Sequence, residues 1–144
     1  MNVDKLHFID LGLPSGKLWA TANVKDENGN EAYYSFDDAV NAFGKNLPSK
    51  DDWKELFDNS TYKWNKKRKG YDVTGPNGNS IFLPAAGHPY DVRVLFVGSE
   101  GNYWSSSVYV NNKDLAYHVY FYSRYLYPQH ATYRCSGYSV RLCK

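Results

Sequence analysis

Two stretches of this chain repeat one helix design, and both lie in its first half. In SFDDAVNAFG, residues 35–44, Ser35 is placed to cap, and Asp37 and Asp38 fall in the first turn. Phe36, Ala39, Val40 and Phe43 recur there at helical spacing before a stop at Gly44. In PSKDDWKELFDN, residues 48–59, Ser49 takes the cap, Asp51 and Asp52 the first turn, and Trp53, Leu56 and Phe57 one face. After residue 60 the period changes. Turn clusters alternate with short apolar runs, as in GPNGNSIFLPAAG, where a Gly/Asn/Pro turn precedes Ile81, Phe82 and Leu83 and Pro84 stops the run. RVLFVGSEGNYWSSS and the stretch from Leu115 to Leu142 follow the same pattern. Two short helices followed by strands predict an α+β fold with an irregular C-terminal antiparallel sheet, rather than alternating βαβ units. Ahead of the helices, Ile9, Leu11 and Leu13 alternate with polar or small residues, Pro14-Ser15-Gly16 turns the chain, and an extended pattern resumes at Leu18. This predicts an N-terminal hairpin with Trp19 in the core.

The length of 144 residues fits a single domain, 1–144, and no internal repeat is evident. A formal net charge of +2 gives no bulk attraction for nucleic acid or a membrane surface. The basic run KKRKG, Lys66 to Gly70, reads as a solvated loop before a turn. No apolar run approaches the ~18 to 20 residues of a membrane helix. MNVDKLHFIDLG lacks the basic and then apolar segments of an export signal. Neither membrane insertion nor a signal peptide is expected in this chain. Cys135 and Cys143 form neither a zinc pattern nor a disulfide framework; they admit one bridge, and two buried thiols are the expectation. Helix N-terminal charge accounts for Asp37, Asp38, Asp51 and Asp52, and His7, His88, His118 and His130 are scattered. No metal site and no cofactor is expected.

The surplus in the composition is tyrosine, fourteen of them against one methionine. Six fall in AYHVYFYSRYLYPQHATY, residues 116–133, with two histidines. A displayed tyrosine offers a large apolar ring and a hydroxyl at the cost of two side-chain torsions, which suits a recognition surface. The plain alternative is that tyrosines cover a sheet and meet cross-strand neighbours. Strand alternation sorts them. Tyr117, Val119, Phe121 and Ser123 share the inward face, and His118, Tyr120, Tyr122 and Arg124 the outward one. Past Ser123-Arg124 the parity shifts, so that Leu126 is the apolar residue and Tyr125 and Tyr127 flank it, as a turn or bulge would require. In the last strand Tyr138, Val140 and Leu142 are inward.

Five motifs in order, DLGLPSGKLWATANV, LPSKDDWKELFD, GPNGNSIFLPAAG, GNYWSSS and GYSVRL, resemble the successive signatures of the fibrobacter major paralogous domains of Bacteroides-type gut bacteria and their phages. The resemblance spans about Ile9 to Leu142. It implies a C-type-lectin-like fold of the formylglycine-generating-enzyme-like branch. It further implies kinship with the variable proteins of diversity-generating retroelements, in which reverse transcription mutates adenines near the end of the gene. Asparagine codons AAC and AAT then give Tyr, His, Asp, Ser, Thr, Ala and Arg among others, but not Lys, Glu, Gln, Trp or Met. Between 118 and 133 the residues between scaffold positions are His118, Tyr120, Tyr122, Arg124, Tyr125, Tyr127, His130, Ala131, Thr132 and Tyr133, all permitted. The scaffold positions that match the family pattern are Ala116, Val119, Phe121, Ser123, Pro128, Gln129, Arg134, Gly137, Ser139, Val140 and Arg141. Lys113 is outside the permitted set and is fixed or differently encoded.

On this resemblance the variable region is about 103–142, and its ligand-contacting residues are Tyr109, Asn111, Asn112, Asp114, His118, Tyr120, Tyr122, Arg124, Tyr125, Tyr127, His130, Thr132, Tyr133 and Ser136. The expected partner is a protein or glycan on a cell surface, and the expected location is a bacterial surface or a phage tail. The fold branch includes an oxidase with a reactive cysteine pair. Here Cys143 is penultimate and Cys135 adjoins the variable segment, with no nucleophile, base and oxyanion donor placed together, so no enzyme is expected. The alternatives are a non-diversified adhesin that binds a glycan, and a structural domain of a surface protein. The calcium-dependent sugar signatures Glu-Pro-Asn and Trp-Asn-Asp do not occur.

Overall fold

In a computed structural model that describes residues 6–144, both helices form where their caps place them. Residues 1–5, the start of MNVDKLHFIDLG in which no export signal is expected, lie outside the described residues. Helix α1 runs Phe36–Phe43, and Ser35 Oγ accepts from the Asp38 amide at 3.1 Å. Helix α2 runs Lys50–Asp58 and opens with a reciprocal cap: the Asp52 amide donates to Ser49 Oγ at 3.0 Å and the Ser49 amide to Asp52 Oδ2 at 2.9 Å. A nine-residue helix is marginal by itself. Burial of Trp53, Leu56 and Phe57 contributes roughly 5 to 9 kcal/mol, which holds it in place.

The rest of the architecture is antiparallel sheet, giving a mixed α+β fold made mostly of strands. Strands β1 (Phe8–Asp10) and β2 (Leu18–Ala20) form the N-terminal hairpin. Strands β3 (Thr61–Asn65), β4 (Gly70–Thr74) and β5 (Ser80–Pro84) form a meander, and β6 (His88–Tyr90) with β7 (Arg93–Leu95) a short hairpin. Strands β8 (Gly101–Val108), β9 (Leu115–Tyr122) and β10 (Tyr125–Tyr133) make the last sheet, with β9 in the middle.

Two apolar clusters grip this last sheet. The first packs Trp53, Leu56 and Phe57 of α2 and Tyr71, Val73, Ile81 and Leu83 of the meander against Tyr103, Val119 and Phe121. The second packs Phe36, Ala39 and Phe43 of α1 against Trp104, Ala116, Tyr138, Val140 and Leu142. Strands β8 and β9 therefore carry buried side chains on both faces. Gly101 shows how tightly they meet, since a Cβ there would stand 2.0 Å from the Phe121 ring.

The C-terminal segment departs from simple alternation. It threads between the N-terminal hairpin and the last sheet: the Ala20 amide donates to Leu142 O at 2.9 Å, the Val24 amide to Val140 O at 2.9 Å, and the Trp104 amide to Ser139 O at 3.1 Å. Tyr138, Val140 and Leu142 are buried as expected, but so are Ser139, Arg141 and Cys143. Arg141 donates from Nε to Asn23 Oδ1 at 2.9 Å, from Nη1 to Ala20 O at 3.1 Å and from Nη2 to Phe82 O at 2.5 Å. The expectation of two buried thiols is corrected: both cysteines are free, Cys143 is buried, and Cys135 is exposed.

Candidate functional site

The β9–β10 hairpin turns through Ser123 and Arg124, which sets Tyr125 opposite Tyr122, Leu126 opposite Phe121 and Tyr127 opposite Tyr120. Opposed residues share a face. Val119, Phe121 and Leu126 accordingly point into the first cluster, where Phe121 packs edge-on against Tyr71 at 5.0 Å. The other face carries the tyrosines. Between Tyr127 and His130 the register shifts by one residue, a bulge at Pro128-Gln129 where a proline lacks no needed ladder donor. The bulge brings His130 opposite His118 and Thr132 opposite Ala116, so these even-numbered residues join the face of Tyr125 and Tyr127.

The result is a contiguous aromatic surface. Tyr120 and Tyr127 lie nearly parallel with centroids 5.8 Å apart, and Tyr125 and Tyr127 likewise at 5.6 Å. Tyr122 is 6.1 Å from Tyr120 and 6.3 Å from Tyr125, and His130 is 5.5 Å from Tyr120. Tyr125 is 59% exposed and Tyr127 39%. Burial, and then the charge of Glu100, raise the Tyr120 hydroxyl above its ordinary range. Along this face of β9 the surface grows out of the core, from buried Ala116 and His118 to half-buried Tyr120 and Tyr122.

His118 corrects the expectation of a displayed contact. It has the outward parity but is only 2% exposed, stacked on Tyr138 at 4.7 Å and flanked by Trp104 and His130. Burial is the main cause that lowers its pKa to about 3, with His130 adding to the effect, so the ring is neutral across the physiological range. The remaining expected contacts do not join the tyrosine face. Tyr109 meets Tyr117 at 5.3 Å on the opposite side of β9. Asn112 accepts the Asp114 amide and closes the β8–β9 turn, with Asn111 exposed beside it. Tyr133 pairs with Leu115, on the other parity, and lines a separate cleft of about 610 Å³ with Asp114, Lys113 and Cys135. Ser136 is half-buried beyond β10. Arg124, at the hairpin tip, borders a cleft of about 850 Å³ with Tyr122, Trp64, Lys63, Lys66 and Lys69, so the exposed KKRKG loop adjoins the face.

Sequence alternation did not reveal the cleft beside Tyr120. His88, Glu100, Asn102, His118, Tyr120, His130, Thr132 and Tyr138 enclose about 310 Å³ there. Six buried side-chain polar atoms lack a hydrogen-bond partner among the described residues, and three of them, His88 Nδ1, Asn102 Nδ2 and His118 Nδ1, belong to this lining. Each such orphan costs about 1–3 kcal/mol. The register could have pointed to Asn102, which stands directly opposite Tyr120, and so to Glu100 two residues before it; His88 and Tyr138 come from distant segments that no local pattern connects.

Beneath the face Tyr103, Trp104, Ser105 and Ser107 of GNYWSSS are committed to the scaffold. Tyr103 donates to Pro84 O at 2.7 Å, Trp104 Nε1 to Tyr34 O at 2.7 Å, and Ser105 Oγ to Tyr117 O at 2.7 Å. Ser107 Oγ accepts from the Lys50 amide at 3.0 Å, which ties β8 to the start of α2. Among the described residues no group of three or more His, Cys, Asp or Glu side chains is arranged to hold a metal, and no helix is long and apolar enough to cross a membrane. No family model matches the chain, and no curated protein or solved structure matches it either.

Proposed function

We propose that the chain is a ligand-recognition domain of the C-type-lectin-like, formylglycine-generating-enzyme-like fold, whose β9–β10 face is rewritten by retroelement mutagenesis. It serves as a receptor-binding or adhesin module at a bacterial surface or a phage tail, and it is not a catalyst. The observation that carries this reading is a segregation. Tyr120, Tyr122, Tyr125, Tyr127 and His130 are all within reach of a mutated AAC or AAT codon, and all lie on one aromatic surface. Their neighbours Val119 and Phe121 are fully buried, and the serines beneath are hydrogen-bonded to the scaffold. A surface that changes sequence without loss of fold needs that division. Tyrosine supplies it with large contact area at low conformational cost.

The test uses the chain immobilised as bait for surface preparations of gut bacteria. Replacement of Tyr120 and Tyr122 by alanine should abolish capture of the specific partner, and replacement of Val40 on α1 should leave it unchanged. Capture that survives the tyrosine replacements would exclude the face as the binding surface.

A further inference from the structure

The cleft beside Tyr120 selects among ligand classes by its donors and acceptors. Asn102 is 3% exposed, and its Nδ2 atom can only donate. His118 Nδ1 is likewise buried without a partner. A neutral imidazole donates at one nitrogen and accepts at the other, so His118 Nδ1 can take either role by tautomer. Glu100, with a side chain 22% exposed, contributes a carboxylate 3.8 Å from His88 Nδ1. An anionic ligand would meet the Glu100 carboxylate, unfavourable to it. A cationic ligand would suit Glu100 and leave Asn102 Nδ2 without an acceptor. A hydroxyl both donates and accepts, and neighbouring hydroxyls on one ring serve all three groups. The half-buried Tyr120 ring forms the adjoining wall, suited to the C–H face of such a ring. The volume of about 310 Å³ is at the small end of ligand cavities, ~300–1,000 Å³, and admits one such unit.

We propose that this cleft seats one neutral sugar ring, with hydroxyls that accept from Asn102 Nδ2, donate to Glu100 and pair with His118 Nδ1, and with its apolar face on Tyr120. The proposal rests on the reading of the β9–β10 face as a ligand surface, and it assigns that surface a glycan anchor. Glu100 and Asn102 lie ahead of the variable region of about 103–142, so these two groups of the anchor belong to the scaffold, while His118 and Tyr120, like Tyr122, Tyr125 and Tyr127, are within reach of mutation.

The experiment follows the Asn102 side-chain amide and Tyr120 ring resonances by NMR. The probes are neutral monosaccharides (mannose, galactose, glucose, N-acetylglucosamine), arginine as the cation and acetate as the anion. A saturable shift with at least one sugar and none with arginine or acetate is expected. Asn102→Leu should weaken that binding about tenfold or more without lowering the melting temperature, because it removes an orphaned amide rather than a made bond. Glu100→Gln should also weaken it and remain folded. Saturable shifts with arginine or acetate, or none with any sugar, overturn the proposal. Capture of the macromolecular partner separates the two readings. Capture that needs Tyr120 and Tyr122 but tolerates Asn102→Leu removes the glycan anchor and keeps the face. Capture indifferent to the tyrosines removes both.

Discussion

Replacing Arg141 with methionine tests the division between a fixed scaffold and a free surface. The Arg141 side chain is 1% exposed, and its guanidinium serves Asn23 Oδ1 and Ala20 O at the end of the N-terminal hairpin and Phe82 O in β5, two segments far apart in sequence. The same node continues through Asn23 Nδ2, which donates to Glu31 Oε2 at 2.7 Å and to the buried Tyr103 hydroxyl at 2.9 Å. Methionine fills similar volume but leaves three acceptors without a donor, and breaking one side of a buried charged network costs about 3–5 kcal/mol. With an unfolding entropy of ~2.1 cal/mol/K per residue, that loss lowers the melting temperature of a chain this long by roughly 10–17 °C. Arg141→Lys should recover little, since one ammonium cannot span three acceptors arranged for a planar fork. Tyr125→Ser, on the exposed face, should cost under about 1 kcal/mol and shift the transition by no more than roughly 3 °C. Thermal unfolding followed by circular dichroism at fixed pH reads all three. Equal shifts for Arg141→Met and Tyr125→Ser would refute the division.

Three further outcomes follow from named groups. His118 has a folded pKa near 3 against an ordinary 6.5, so the unfolded chain binds its proton first. Stability from this group is complete above pH ~6.5 and falls as the pH drops toward 3, with about 3 kcal/mol lost by pH ~4.5; in urea titrations at several pH values His118→Phe should flatten that dependence. Ser49→Ala removes the reciprocal cap of α2 and should cost ~1 kcal/mol, seen as a lower urea midpoint with an unchanged slope. Burial, then Asp52, push the Cys143 thiol up to about 12, whereas Cys135 is exposed, so a thiol reagent should titrate one cysteine in the native chain and two after unfolding; two fast-reacting native thiols would contradict the threading of the C-terminus.

Local chemistry made the helices legible. Ser35 and Ser49 with their acidic first turns encode the start of each helix within four residues, and the Tyr120–Tyr127 pairing follows from a two-residue turn between alternating strands. His118 was misread because strand alternation assigns a face but not what covers it. Tyr138, twenty residues later, lies over that face. Alternation hid the burial of Arg141 for the same reason, although the family pattern places it in the scaffold: between Val140 and Leu142 it has the parity of a solvent residue, and only the threading past Ala20 and Phe82 buries it. The bulge at Pro128-Gln129 moved Thr132 onto the tyrosine face and Tyr133 off it. The cleft residues His88, Asn102 and Tyr138 meet through the tertiary fold, so no spacing in the sequence could group them.

The most direct measurement is the DNA adjoining the gene. A near-copy of its last part, differing only at adenines, is expected there beside a reverse transcriptase gene. The differing codons should include those of Tyr120, Tyr122, Tyr125, Tyr127 and His130 and spare those of Val119, Phe121, Val140 and Arg141. The absence of both the copy and the reverse transcriptase, or differences spread equally over exposed and buried codons, would contradict it.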